Sequence, residues 1–170
     1  ALTMIGDTNL TLDAGFYYPV VLGDTVFLDA NYNGLQDAGD MGLAGVTITL
    51  RDAISGAVVT TDAFGNTISG MTVTDAIGLY LFDSLPLRTY YVEFDVSTVP
   101  GSPILTPTFE NIGGSSLQSD DSDVNELGYS DTVSLNMLRD TNRTLDAGYA
   151  FPVVVGDTVF VDVNYDGLQN

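Results

Sequence analysis

The densest chemistry in this sequence lies in twelve residues, Asp29-Ala30-Asn31-Tyr32-Asn33-Gly34-Leu35-Gln36-Asp37-Ala38-Gly39-Asp40. Counted from Asp29 as position 1, side-chain oxygens fall at positions 1, 3, 5, 9 and 12 (Asp29, Asn31, Asn33, Asp37 and Asp40). Glycine falls at position 6 and the Leu35 carbonyl at position 7. This is the order of an EF-hand calcium loop, with Asp in place of the closing Glu. Hard Ca²⁺ takes roughly six to eight oxygens at about 2.3 to 2.6 Å, and alternating Asp and Asn around a glycine turn supplies them. Mg²⁺ fits less well. A terminal Asp, shorter than Glu, reaches the ion through one oxygen or through water, which sets an expected affinity of about 10⁻⁴ to 10⁻³ M. The bland alternative is an Asx-rich turn between strands, which needs far fewer oxygens.

A second acidic run is Asp120-Asp121-Ser122-Asp123-Val124-Asn125-Glu126. Four carboxylates this close repel one another unless a cation is shared or water solvates them all. Alternate residues of an extended segment point the same way, which selects Asp121 and Asp123 as the metal-ligating pair. Asp24, Asp75 or Asp95 could complete that shell, and spacing does not choose among them.

Composition narrows the partners. The formal charge is −19, and the chain has neither histidine nor cysteine; its four cations are Arg51, Arg88, Arg139 and Arg143. Such a chain repels nucleic acid and anionic lipid and favours cations, and bound divalent ions would relieve its self-repulsion. Without cysteine there are no disulfides or thiolate metal sites. No stretch approaches the roughly 18 apolar residues of a membrane span. Nor is there a basic-then-apolar segment of the signal-peptide kind.

The elements that must position these loops are strands. Thr25–Leu28, Val46–Leu50, Leu79–Phe82, Tyr90–Phe94, Thr132–Leu135 and Arg143–Ala147 are short, β-branched or aromatic, and bounded by Gly, Asp, Asn or Pro. No segment sustains a helical period. The expectation is an all-β, antiparallel β-sandwich. Residues 97–129, rich in Ser, Gly, Pro and Asp, should include a long surface excursion with Phe109 as its one large anchor.

The chain also repeats itself. Residues 1–37 align without a gap onto residues 134–170, a period of 133, with 24 of 37 positions identical. Repetition at a fixed period means an array. The expected divisions are 1–18, the last strand of a preceding repeat; 19–149, a complete repeat; and 150–170, the first strand and truncated calcium loop of the next. In that second loop Asp162, Asn164, Asp166 and the Leu168 carbonyl recur as ligands. Only Ala150-Phe151-Pro152 joins the last strand to the next repeat, with Tyr17-Tyr18-Pro19 playing that part at the other junction. Proline stiffens such a link, and Gly/Ser linker composition is absent, so consecutive repeats should hold a preferred angle and form a rod. A covalent array accounts for the copied junction directly; separate subunits exchanging terminal strands are the alternative.

At Gly23–Val46, Thr74–Phe82, Asp121-Ser122-Asp123 and Thr144–Tyr149 the sequence resembles the B-type repeat domains of serine-aspartate repeat surface proteins, within the Cna-B-like group. The resemblance implies a Greek-key, prealbumin-like sandwich. It also implies calcium at the first loop and at Asp121-Ser122-Asp123, and a stalk role at the bacterial cell surface with identical repeats as head-to-tail partners. Two departures stand out: residues 62–73 read as an inserted hairpin, and Asp40 closes the loop where the family often has Glu. Many Cna-B-like domains also carry a Lys-Asn isopeptide bond. This chain has no lysine and cannot form one.

An enzyme reading finds no histidine, cysteine or lysine for base or nucleophile work, and no phosphate loop. The competing class is an adhesive or carbohydrate-binding module using Tyr17, Tyr18, Tyr32 or Tyr129. Strand and junction positions make packing the simpler reading of these tyrosines.

Overall fold

The computed structural model describes residues 14–16, 18–101, 104–110, 112, 119–152, 156, 161 and 163. Among the described residues eleven strands run in chain order: β1 (Val20–Leu22), β2 (Val26–Leu28), β3 (Met41–Gly42), β4 (Thr47–Asp52), β5 (Met71–Val73), β6 (Phe82–Leu85), β7 (Arg88–Asp95), β8 (Thr106–Pro107), β9 (Val133–Leu135), β10 (Thr141–Asn142) and β11 (Ala147–Ala150). One 3₁₀ turn, Val96–Thr98, follows β7 and is capped by the Asp95 side chain. Among the described residues no helix is long and apolar enough to cross a membrane.

The strands form the expected Greek-key β-sandwich. One layer is the sheet β5-β4-β7-β9. The other combines β10-β1-β6 with β3-β2-β11-β8. These two short sheets are continuous, because β1 runs on into β2 and β10 into β11. Between them the Gly23 N–H donates to the Asn142 carbonyl and the Ala147 N–H to the Thr25 carbonyl. Period-two alternation places the core. Ile48 and Leu50 of β4 and Tyr90, Val92 and Phe94 of β7 point inward against Val20, Leu22 and Val26. Tyr80 stands edge-on to Phe82 and Phe94 between the layers.

Two pairings are parallel, β1 with β10 and β2 with β11. Residues 20–28 and 141–150 therefore run side by side in one direction. The chain enters at one end of the domain, beside Thr141, and leaves β11 at the other, beside Leu28.

Two expected strands move. The one expected at Leu79–Phe82 forms at Phe82–Leu85, because Leu79 still belongs to the Asp75–Gly78 turn, whose Asp75 carboxylate accepts from the Ile77 and Leu79 N–H groups. The strand expected at Arg143–Ala147 forms at Ala147–Ala150. Asn142 and Thr144 bond each other through their side chains, and Asp146 is drawn out of the ladder into a carboxylate cluster. The inserted hairpin closes with a Thr61–Thr67 bridge around an Asp62-capped turn, and Met71–Val73 then pairs with β4. Within the expected surface excursion, β8 pairs with β11, and residues 121–124 are buried.

Candidate metal centre

The loop from Asp29 to Asp40 joins β2 to β3 and is organised by its own acceptors. Asp29 Oδ1 accepts from the Asn33 N–H (3.2 Å), and Asp29 Oδ2 accepts from the Gly34 N–H (2.8 Å) and the Thr108 hydroxyl. Asn31 Oδ1 accepts from the Asn33 N–H, and Asn33 Oδ1 from the Leu35 N–H. Asp40 reaches back, its two oxygens accepting from the Ala30 and Asp37 N–H groups at 2.9 Å each. The carboxamides of Asn31 and Asn33 both donate to Asp37 Oδ2, at 3.3 and 2.9 Å. Positions 1, 3, 5, 9 and 12 of the loop are thus linked in one circuit. Gly34, at position 6, has φ +82°, and a Cβ there would lie 2.7 Å from the Phe109 carbonyl oxygen. Only glycine meets both demands.

The Asp120–Val124 segment lies against this loop. The Gln36 N–H donates to the Asp120 carbonyl (2.7 Å) and the Ser122 N–H to the Gly34 carbonyl (3.0 Å), which sets Leu35 opposite Asp121. The segment then crosses to the start of β11. The Asp123 N–H donates to the Asp146 carbonyl (2.8 Å), the Asp146 N–H to Asp123 Oδ2 (3.0 Å), and the Gly148 N–H to the Ser122 hydroxyl (3.0 Å). Asp121, Ser122, Asp123 and Asp146 have no solvent exposure. Asp121 stands beside the loop, opposite Leu35, and its charge also acts on Asp123, which bonds Asp146 on the other side.

The electrostatics of the two regions differ in sign. Burial raises the Asp29 carboxyl, but the Thr108 hydroxyl and the N–H groups of Gly34, Asn33 and Tyr32 outweigh it, so Asp29 ionises below the usual carboxylate range. Asp123 is pushed up to about 8, first by burial and then by Asp121, Asp131 and Asp24. Asp146 is raised by burial and by Asp24 and Asp123; Asp24 is raised by burial, against the pull of Thr25, Asp146 and Arg143. Burial and mutual repulsion thus oppose ionising Asp24 and Asp146 together. When all three are ionised, Asp24 Oδ2, Asp123 Oδ1 and Asp146 Oδ2 are buried without a donor.

Orphaned anionic oxygens of this kind fit a hard divalent cation, which supplies the missing positive charge and accepts oxygen donors. The first loop fits the same ion through mixed Asp, Asn and carbonyl oxygens, provided its two carboxamides turn their oxygens inward. Among the described residues no group of three or more acidic side chains is gathered tightly enough to hold a metal as it stands. Filling either site would draw the carboxylates together.

Of the three expected partners for Asp123, Asp24 faces it. Asp75 caps its own turn and Asp95 caps the 3₁₀ turn. Asp162, Asn164, Asp166 and Leu168 lie outside the described residues. Sequence reading missed Asp146 and Thr108. The signal for Asp146 was present, since Thr-Leu-Asp-Ala-Gly recurs at both ends of the chain, but the sequence reading placed that aspartate only within an expected strand. The aromatics an adhesive face would need are engaged separately: Tyr18 lies under Arg139, Tyr32 against Phe109 and Tyr129 against Tyr91.

Fold and loops together define a class, a small β-sandwich with an acidic loop between β2 and β3 and a buried acidic cluster at the starts of β2 and β11. Residues 20–149 match the family model for the SdrD B-like domain, and the chain belongs to that family. It is 38% identical over 165 residues to a serine-aspartate repeat-containing protein F of Staphylococcus epidermidis, covering 95% of this chain and 9% of that protein. Over 170 residues it is 37% identical to a serine-aspartate repeat-containing protein E of Staphylococcus aureus, covering 97% of this chain and 12% of that protein. The chain thus spans about a tenth of the length of the curated relatives it matches. Among solved structures, GBS52, the minor pilin of Streptococcus agalactiae, superposes with a TM-score of 0.53 at 11% identity, over 85% of this chain and 49% of that one. That likeness is one of fold.

Proposed function

We propose that this chain is a calcium-stabilised structural repeat of an extracellular surface stalk or fibre, non-catalytic and joined head to tail with further repeats. The observation that carries the reading is the buried trio Asp24, Asp123 and Asp146, whose unpartnered oxygens make the ion-free fold costly at neutral pH. Family membership supports the surface role, and the parallel run of the first and last strands supports serial joining, since the chain traverses the domain from end to end. In this reading Asp29, Asn31, Asn33, Asp37, Asp40 and the Leu35 carbonyl hold one ion, with Asp121 alongside. Asp24, Asp123 and Asp146 hold a second.

Calcium at about 100 times its Kd would stabilise the fold by about 2.7 kcal/mol per site. The test is thermal unfolding of the full chain in millimolar calcium and in chelator. A rise of roughly 5 to 10 °C per site is expected at this size; equal melting temperatures would overturn the calcium reading.

A further inference from the structure

A groove of about 800 Å³ opens at the downstream end of the domain, where β11 ends. Its walls include Leu28, Asn31, Tyr32, Thr106, Phe151 and Pro152. Asn31 and Tyr32 belong to the first acidic loop. Phe151 and Pro152 are the link toward the next repeat. At the upstream end the chain shows how such a link docks on the repeat that follows it. Tyr18-Pro19 is the sequence equivalent of Phe151-Pro152. The Tyr18 ring lies under the Arg139 guanidinium, 3.9 Å from its centre. Arg139 sits at φ +67° in a turn fixed by Asp140, whose carboxylate accepts from the Asn136 and Met137 N–H groups. That turn is tied to the incoming strand by the Val21 N–H, which donates to the Asp140 carbonyl at 3.0 Å. Its tip, Met137 and Leu138, is apolar yet exposed by 67% and 58%.

Applied one period later, this geometry fixes a neighbour. Val153 is the equivalent of Val20, the first residue of β1. Only Phe151 and Pro152 separate it from Ala150 in the chain. The next repeat's Asn136–Asp140 turn, bound to its own first strand, is thereby carried to the groove rim. Its tip, Met137-Leu138 in this repeat and Met4-Ile5 in the preceding copy, is apolar in both and meets an apolar groove.

We propose that consecutive repeats share a built interface in which the Asn136–Asp140 turn of the downstream repeat seats on the groove beside the upstream repeat's acidic loop. Phe151 lies between them, in the place that Tyr18 takes against Arg139 at the upstream end. The proposal rests on the head-to-tail reading above. It adds that the angle between repeats is set by side-chain contacts and coupled to the loop through Asn31 and Tyr32.

The test is a tandem protein in which residues 1–152 run on into residues 20–170, so that two repeats are joined by the native link. The chain has no cysteine, and Ile54 is 92% exposed, so Ile54→Cys in each copy places one spin label per repeat. Pulsed electron-electron distance measurement in calcium should give one narrow distribution. Phe151→Ala at the link should broaden it about twofold, toward flexible-linker behaviour. So should Arg139→Asn in the second copy, which keeps a residue tolerant of positive φ. Thermal melting should be unchanged in both variants. A wild-type distribution as broad as that of Phe151→Ala would overturn the interface. Because melting in calcium and chelator is read separately, failure of the calcium reading is distinguishable from failure of the interface.

Discussion

Asp123 and Asp146 hold each other twice, the Asp123 N–H donating to the Asp146 carbonyl at 2.8 Å and the Asp146 N–H donating to the Asp123 carboxylate at 3.0 Å. Backbone pairing therefore forces two buried acids together, with Asp24 as a third. A cluster that only had to fold would not keep three acids there.

Asp123→Asn removes one charge from that cluster at nearly constant shape. In chelator it should raise the melting temperature by about 2 to 5 °C, because like-charge repulsion and carboxylate desolvation are both relieved. In millimolar calcium the same variant should melt below wild type. Differential scanning calorimetry in both conditions checks the crossing; a variant less stable in both would mean the carboxylate has a purely structural role.

The pH dependence of the metal-free chain follows from the same residues. Asp123 and Asp146 bind protons more tightly folded than unfolded, where aspartate titrates near about 3.9. Their stabilising protonation is complete in acid and is lost as pH rises from about 4 through about 8, the level to which Asp123 is pushed. Asp29 works in the opposite sense: its lowered carboxyl stabilises the fold above about 3.9 and stops doing so as pH falls through its folded value. The metal-free chain should therefore melt highest near about pH 4 and lose stability steadily toward pH 8.5. Asp123→Asn should flatten the alkaline limb. A limb equally steep in both proteins would assign the effect to overall charge.

The Thr108 hydroxyl, at the end of β8 and one strand removed from β2 in the same sheet, donates to Asp29 Oδ2. Thr108→Val should cost about 1 to 3 kcal/mol by withdrawing a donor from a buried carboxylate. It should also weaken calcium binding at the first loop while leaving the Asp123 cluster intact. Urea unfolding in chelator, with calcium titration of the folded variant, separates the two effects.

Gly34→Ala places a Cβ at φ +82° against the Phe109 carbonyl. The expected loss is about 2 kcal/mol or more, with the first loop misshaped. Gly39→Ala is the informative partner: it has positive φ but open space around it, so it should cost about 1 kcal/mol. Equal losses would show that backbone strain, rather than the packed loop, controls the site.

Much of this was legible in the residues. Alternation over Thr47–Leu50 and Tyr90–Phe94 placed two strands and their inward faces, and the Asp29–Asp40 spacing delimited the loop. What escaped was long-range. Asp146 reads as one residue of an expected strand, and only the return of the Asp120–Val124 segment across β11 makes it a buried acid. Thr108 carries no local signal at all; its partner is 79 residues away. Leu79 fails as a strand start because the Asp75 cap holds its N–H in a turn, a local competition that hydrophobic pattern does not register.

The most direct measurement is calorimetric titration of the metal-stripped full chain with calcium, alongside Asp29→Ala and Asp123→Asn. The account predicts that each substitution removes a different binding event and leaves the other. If the wild-type chain takes up no calcium at millimolar concentration, or if both substitutions leave the titration unchanged, these acidic loops are not metal sites and the central claim fails.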